Sequence, residues 1–206
     1  MAAARRTQEE RREATIRKLL DAATEALIDV GYAGASVQEV CARAEVSTGG
    51  LFRHFASREE LMVAVGEDVG RQLLVRYRRD FEALRDEREP LELALKLVRS
   101  SCRSRLNQAW YELAIAARTN ARLKKALAPT AARYYEDIRA VARDLLPELA
   151  ATLGARFDVF VDTIIAVFDG EVVHRFVLHK PKIEQERTEL LVGVTRLLLG
   201  TRATRG

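Results

Sequence analysis

Apolar residues recur at helical spacing along most of the chain. Ile16, Leu19, Leu20, Ala23, Leu27 and Val30 form one stripe. Thr7-Gln8-Glu9-Glu10 precedes it in the form of a capping box, and Gly31 follows it where a left-handed C-cap suits glycine. Ser36-Val37-Gln38-Glu39 opens a short helix ending near Ala44. Ser47 caps another through Leu51 to Phe55, and Ser57-Arg58-Glu59-Glu60 starts a long one running into the eighties. Beyond it the pattern predicts helices from Pro90, around Trp110, from Pro129 to Leu145, from Phe157 to about Leu178, and from Ile183 to Leu199. The expectation is an all-α protein of about nine helices.

Glycine and proline support that reading. No glycine lies between Gly70 and Gly154, and only Pro90, Pro129 and Pro147 punctuate the interval, so the turns a sheet needs are missing. With 48% hydrophobic and 31% charged residues in 206, a buried core under a solvated surface is expected rather than disorder. Asp158 and Asp162 interrupt the richest apolar stretch, and Met1-Ala2-Ala3-Ala4-Arg5-Arg6 has no signal-peptide core. Cys41 and Cys102 are too few for a disulfide framework. A cytoplasmic protein is expected, with Cys41 a small buried apolar residue and no role legible for Cys102.

Two short helices joined by a tight turn form a helix-turn-helix. Val37, Val40, Ala44, Val46, Leu51 and Phe55 are its candidate core. Ser47 would cap the second helix, and Gly49 and Gly50 would let its backbone approach DNA closely. Thr48 and Arg53 are the candidates for reading base edges, Arg53 as a bidentate partner of guanine. Residues 16–62 closely resemble the N-terminal domain of the TetR family of bacterial transcriptional regulators. The likeness rests on Ala22-Ala23, Gly31-Tyr32, Ser36-Val37, Val40, Ala44, Val46-Ser47, Gly50, Phe52, His54-Phe55 and Glu60-Leu61. It implies that Ser36, Gln38, His54 and Arg58 contact the sugar-phosphate backbone, which positions without reading sequence. Three residues depart from the family pattern. Glu45 stands where glycine is usual, Thr48 where lysine is frequent, and Phe52 where tyrosine is usual, leaving Phe52 only stacking on sugar or contact with a thymine methyl.

Charge refines the picture. The chain carries +4 overall, yet residues 1–60 hold nine Lys/Arg against ten Asp/Glu. Residues 1–18 hold six basic and three acidic side chains, so a basic N-terminal arm and the second short helix would carry DNA affinity. The expected domains are residues 1–56, the DNA-binding domain with its arm, and 57–206, a helical domain for ligand binding and dimerisation.

The resemblance also implies a homodimer on a palindromic operator, with a small-molecule effector releasing a repressor. Gly170, Val173, Val194 and Leu197 are the candidates for the dimer seam. Asn107, Trp110, Tyr111, Tyr134, Phe168 and His174 are those for a pocket taking an apolar or aromatic molecule. No catalytic residue, cofactor or metal is expected. Two alternatives stay open: a helical adaptor for another protein, and a small metal-binding helical-bundle enzyme built on Glu171-Val172-Val173-His174, whose Glu-x-x-His spacing suits di-iron bundles but has no second copy.

Overall fold

The computed structural model describes residues 7–84, 87 and 90–203. Among them are ten α-helices: α1 (Gln8–Gly34), α2 (Val37–Ala44), α3 (Thr48–Phe52), α4 (Arg58–Glu82), α5 (Pro90–Cys102), α6 (Arg105–Ala117), α7 (Ala121–Leu145), α8 (Pro147–Leu153), α9 (Phe157–Arg175) and α10 (Pro181–Ala203). A 3-10 turn, Gly154–Arg156, joins α8 to α9, and no strand occurs among the described residues. Arg5 and Arg6, part of the expected basic arm, lie outside those residues.

The capping signals act as read. Thr7 and Glu10 form both hydrogen bonds of the capping box, at 3.2 and 2.7 Å. Ser57 Oγ accepts the Glu60 N–H at 3.1 Å, opening α4. Gly31 takes φ 70°, ψ 173° and breaks the helical run before Gly34. Val30, placed on the apolar stripe by its spacing, is instead exposed. The helix expected to start at Pro129 begins eight residues earlier. Asn120 Oδ1 accepts the Leu123 N–H at 2.9 Å and caps α7 there, so Pro129 sits inside the helix. Pro147 starts the additional helix α8 at its first turn.

The helices gather into two compact units. One comprises the described residues up to Gln72 together with Arg105–Ala131; the other comprises Leu73–Ser104 and the described residues from Ala132 onward. The first is cored by Leu19, Ala23, Leu27, Val40, Leu51 and Leu61, all fully buried. The second is cored largely by α9, whose Phe157, Val161, Ile164, Ile165, Phe168 and Val172 are buried. That helix shows no single polar face, as a centrally placed helix requires.

Candidate nucleic-acid interface

The reading head is built from α2 and α3 against α1. Ser36 Oγ accepts the Glu39 N–H at 3.1 Å and starts α2. Glu45 ends it in the left-handed region, φ 54°, ψ 42°, where a side chain is strained and glycine is not. The Val46 N–H then returns to Cys41 O at 3.1 Å, and Ser47 Oγ accepts the Gly50 N–H at 3.0 Å to start α3. Val40, Cys41, Ala44, Leu51 and Phe55 are buried beneath the pair and fix their crossing. Val37 and Val46 are half-buried at its margin.

This packing turns one set of residues outward: Gln38, Ser47, Thr48, Gly49, Phe52 and Arg53 are all exposed. Phe52 leaves 47% of its surface in water. Arg53 reaches past Gly49, its Nε 3.4 Å from the Gly49 carbonyl. Ser36 and His54 are half-buried at the edge of this face.

Two expected contacts have other employment. Gly50 is buried, and a Cβ there would stand 2.8 Å from Val46 Cγ1 and 3.2 Å from Ser47 Oγ. Its glycine is required by the turn beneath it, not by approach to DNA; only Gly49, with nothing within 4 Å of a Cβ, leaves an open backbone. Arg58 donates from Nε to Ala35 O at 2.9 Å and from Nη2 to Tyr32 O, and lies 4.3 Å from the Tyr32 ring centroid. It clamps the chain between α1 and α2.

Behind the outward face lies a set of supports that residue spacing revealed only in part. Arg43 bonds Glu39 of its own helix and Asp29 of α1, both at 2.7 Å. The Glu39-to-Arg43 step is legible as an i,i+4 pair, whereas Asp29 is not. Asp68 is buried, taking Arg17 at 2.5 Å, Arg71 at 2.8 Å and Gln72 at 2.6 Å. Burial alone would raise the Asp68 pKa. The hydrogen bonds from Arg17, Arg71 and Gln72 outweigh it and hold the carboxyl below its ordinary value.

Residues 19–65 match the model of the bacterial regulatory proteins of the tetR family. Over 189 residues the chain is 36% identical to the Uncharacterized HTH-type transcriptional regulator Rv2912c of Mycobacterium tuberculosis (strain ATCC 25618 / H37Rv), covering 92% of this chain and 96% of that relative. This chain belongs to the TetR family. It is a helix-turn-helix transcriptional regulator, and α2 and α3 are the motif. The structure of a TetR-family member (SCO1917) from Streptomyces coelicolor A3 is similar at TM-score 0.62 and 26% identity, with 86% of this chain and 96% of that one covered. The multidrug binding protein EbrR complexed with ethidium is similar at TM-score 0.63 and 26% identity, with 86% and 96% covered.

In the second unit a narrow apolar cavity of about 40 Å³ lies among Tyr77, Phe81, Leu95, Ile138, Phe160 and Ile164. Among the described residues every lining side chain is apolar apart from the Tyr77 phenol, whose pKa burial pushes up so that it stays neutral. None of the six residues expected at a pocket lines it. Asn107 and Tyr111 are buried in α6 of the first unit, where Trp110 is half-buried; Phe168 is buried in the core of the second, and His174 is exposed. Tyr134 packs edge-on against Tyr77 at 6.2 Å, one shell behind the cavity. Helical spacing puts an aromatic on a face but cannot say which faces leave a gap. The residues expected at a dimer seam fare differently: Val173, Val194 and Leu197 are exposed, and a Cβ on Gly170 would meet nothing within 4 Å.

The Glu-x-x-His spacing does not build a metal centre. Glu171 is enclosed by Arg99 at 2.8 Å and by Arg103 and Arg187, while Glu184 takes Arg103 at 2.8 Å and also Arg175. His174, the other half of that spacing, is exposed. Among the described residues no group of three potential ligands could hold a metal ion, and no helix is long and apolar enough to cross a membrane.

Proposed function

We propose that this regulator is a cytoplasmic repressor that binds a palindromic operator as a homodimer and is released by a small uncharged apolar molecule. The observation that carries the DNA-binding part is the outward set on α3: Thr48, Gly49, Phe52 and Arg53 share one exposed face over a packed turn. That face presents a guanidinium for guanine, a ring for a thymine methyl, and one open stretch of backbone. Ser47 lies beside it, Gln38 and Ser36 flank it on α2, and His54 closes its far edge, where phosphates would run.

Self-association is supported by two apolar stripes in the second unit. Val159, Gly170 and Val173 follow one another at helical spacing on α9, as do Ile183, Leu190, Val194 and Leu197 on α10, and all these large side chains are exposed. Apolar stripes of this length are costly in water and suited to a second copy.

The effector would enter the cavity beside Tyr77 and Phe160. A drug-sized ligand needs roughly 300 Å³ or more, so entry must spread the surrounding helices, and a ligand that prefers the spread arrangement shifts the population toward it. EbrR is complexed with ethidium; among the described residues no carboxylate lines the cavity here, which favours a neutral ligand. The experiment is selection of bound fragments from random DNA by the purified protein. A two-fold symmetric site is expected, with a negative log–log salt slope reflecting a few phosphates per subunit. Recovery of no enriched sequence, or binding indifferent to salt from ~50 to ~200 mM, would overturn the reading.

A further inference from the structure

The first unit contains a polar joint that DNA reading does not use. Gly31 turns the chain out of helix, which withdraws the Tyr32 amide from the helical ladder, and that N–H donates to Glu112 Oε2 of α6 at 2.9 Å. A Cβ on Gly31 would lie 3.1 Å from the same oxygen, so the carboxylate fills the space that glycine leaves. On its other side Tyr32 is held by Arg58 of α4, through its carbonyl and across its ring. Ala35, also bonded by Arg58, and Ser36, the cap of α2, follow immediately. Two turns before Glu112 on α6, Arg105 reaches Glu25 at 2.7 Å and Asp29 at 3.4 Å; Asp29 is the residue that also holds Arg43 of α2.

We propose that Glu112 is a positioning residue for operator binding, setting from α6 the angle at which α2 and α3 present their outward face. The inference rests on the DNA-binding reading above and extends it to regulation. The chain leaves this unit after Gln72 and re-enters it at Arg105, the first residue of α6. Any displacement of α6 therefore reaches the head through the Tyr32 amide and the Asp29 carboxylate. Glu112 touches neither base nor phosphate. It acts by deciding where the start of α2 lies.

The test compares E112A, E112D and E112Q with the unaltered chain. Operator and random duplexes are titrated by fluorescence anisotropy, and deuterium exchange is followed at the Tyr32 amide. E112D keeps the charge but withdraws it by one methylene, and E112Q keeps an acceptor oxygen at the same reach. E112A and E112D should each weaken operator binding by tenfold or more while random-duplex binding stays within twofold, and the Tyr32 amide should exchange at least tenfold faster. E112Q should restore both quantities to within threefold of the unaltered protein. Should E112A fail to fold, E112D and E112Q still carry the comparison. Wild-type operator affinity in E112D, or a loss that E112Q does not rescue, overturns the positioning role and leaves the reading head standing. An unaltered chain that binds no operator overturns the reading head and this role with it.

Discussion

Gly49 and Gly50 are neighbours on the same short helix, yet replacing each with alanine should move the protein in opposite directions. Alanine is favoured over glycine within a helix by about 0.5–1 kcal/mol, so without further contacts both variants would gain stability. At Gly49 nothing lies within 4 Å of the new methyl, and the gain should appear as a melting temperature raised by about 1–3 °C. At Gly50 the methyl would stand 2.8 Å from Val46 Cγ1, on a stiff β-branched side chain, and 3.2 Å from Ser47 Oγ, the acceptor that caps α3. Overpacking of this kind costs about 1–3 kcal/mol, and a displaced cap about 1 more. The net loss should be about 1–3 kcal/mol, read as an earlier urea midpoint at unchanged slope. Operator affinity separates the two roles. G49A, though more stable, should bind its duplex roughly tenfold more weakly, the equivalent of ~1.4 kcal/mol, because the methyl holds the backbone off the groove. If G49A binds as tightly as the unaltered protein, Gly49 does not face DNA and the assigned orientation of α3 is wrong. If G50A is neutral, the turn is looser than its distances imply.

Further outcomes follow from other parts of the molecule. R53A should weaken operator binding by about 1–3 kcal/mol per half-site and broaden the base preference at one position, as read by competition with single-base operator variants. E45G should stabilise the chain by roughly 0.5–1 kcal/mol, since the left-handed strain of about 1–2 kcal/mol disappears while glycine's unfolded freedom takes some back; a lower urea midpoint would contradict it. Asp68, Glu171 and Glu184 all have pKa values held below their ordinary ones: burial opposes this in each case, but their arginine partners prevail. A depressed carboxyl contributes stability above its unfolded pKa, about 4, and loses it as pH falls through the folded value. Urea midpoints should therefore be flat from about pH 6 to 5 and fall steeply below about 4, with a shallower fall in D68N. L197E, on the exposed stripe of α10, should shift the sedimenting species from dimer to monomer; an unchanged dimer would move the seam elsewhere.

The head was legible because each residue there is constrained by its neighbours in the chain. Ser36, Ser47 and Ser57 each bond the amide three residues on, and Glu45 falls where the turn between α2 and α3 demands a left-handed residue. These are local rules, and local rules survive translation from sequence to structure. Where two local signals compete, spacing alone does not choose: Pro129 suits a helix start, but Asn120 caps α7 earlier. Partners distant in the chain leave no local signal, as with Arg58 and its acceptors at Tyr32 and Ala35, 26 and 23 residues away.

A cavity and an exposed apolar position differ in how a sequence records them. An apolar residue beyond what the core takes up stays exposed, and Val173, Val194 and Leu197 are that surplus. A cavity is a deficit: it arises where side chains from several helices fail to meet, as Tyr77, Leu95, Ile138 and Ile164 do, and no single helix records the failure. Regulation must combine the two kinds of information. On the proposed reading an effector would fill a deficit in the second unit, while in the first unit the contact between Glu112 and Tyr32, residues 80 apart in the chain, would set the head. Variation at the cavity should therefore change which molecule is sensed, and variation at Glu112 how strongly any molecule is heeded. Neither should alter which bases Arg53 and Thr48 prefer.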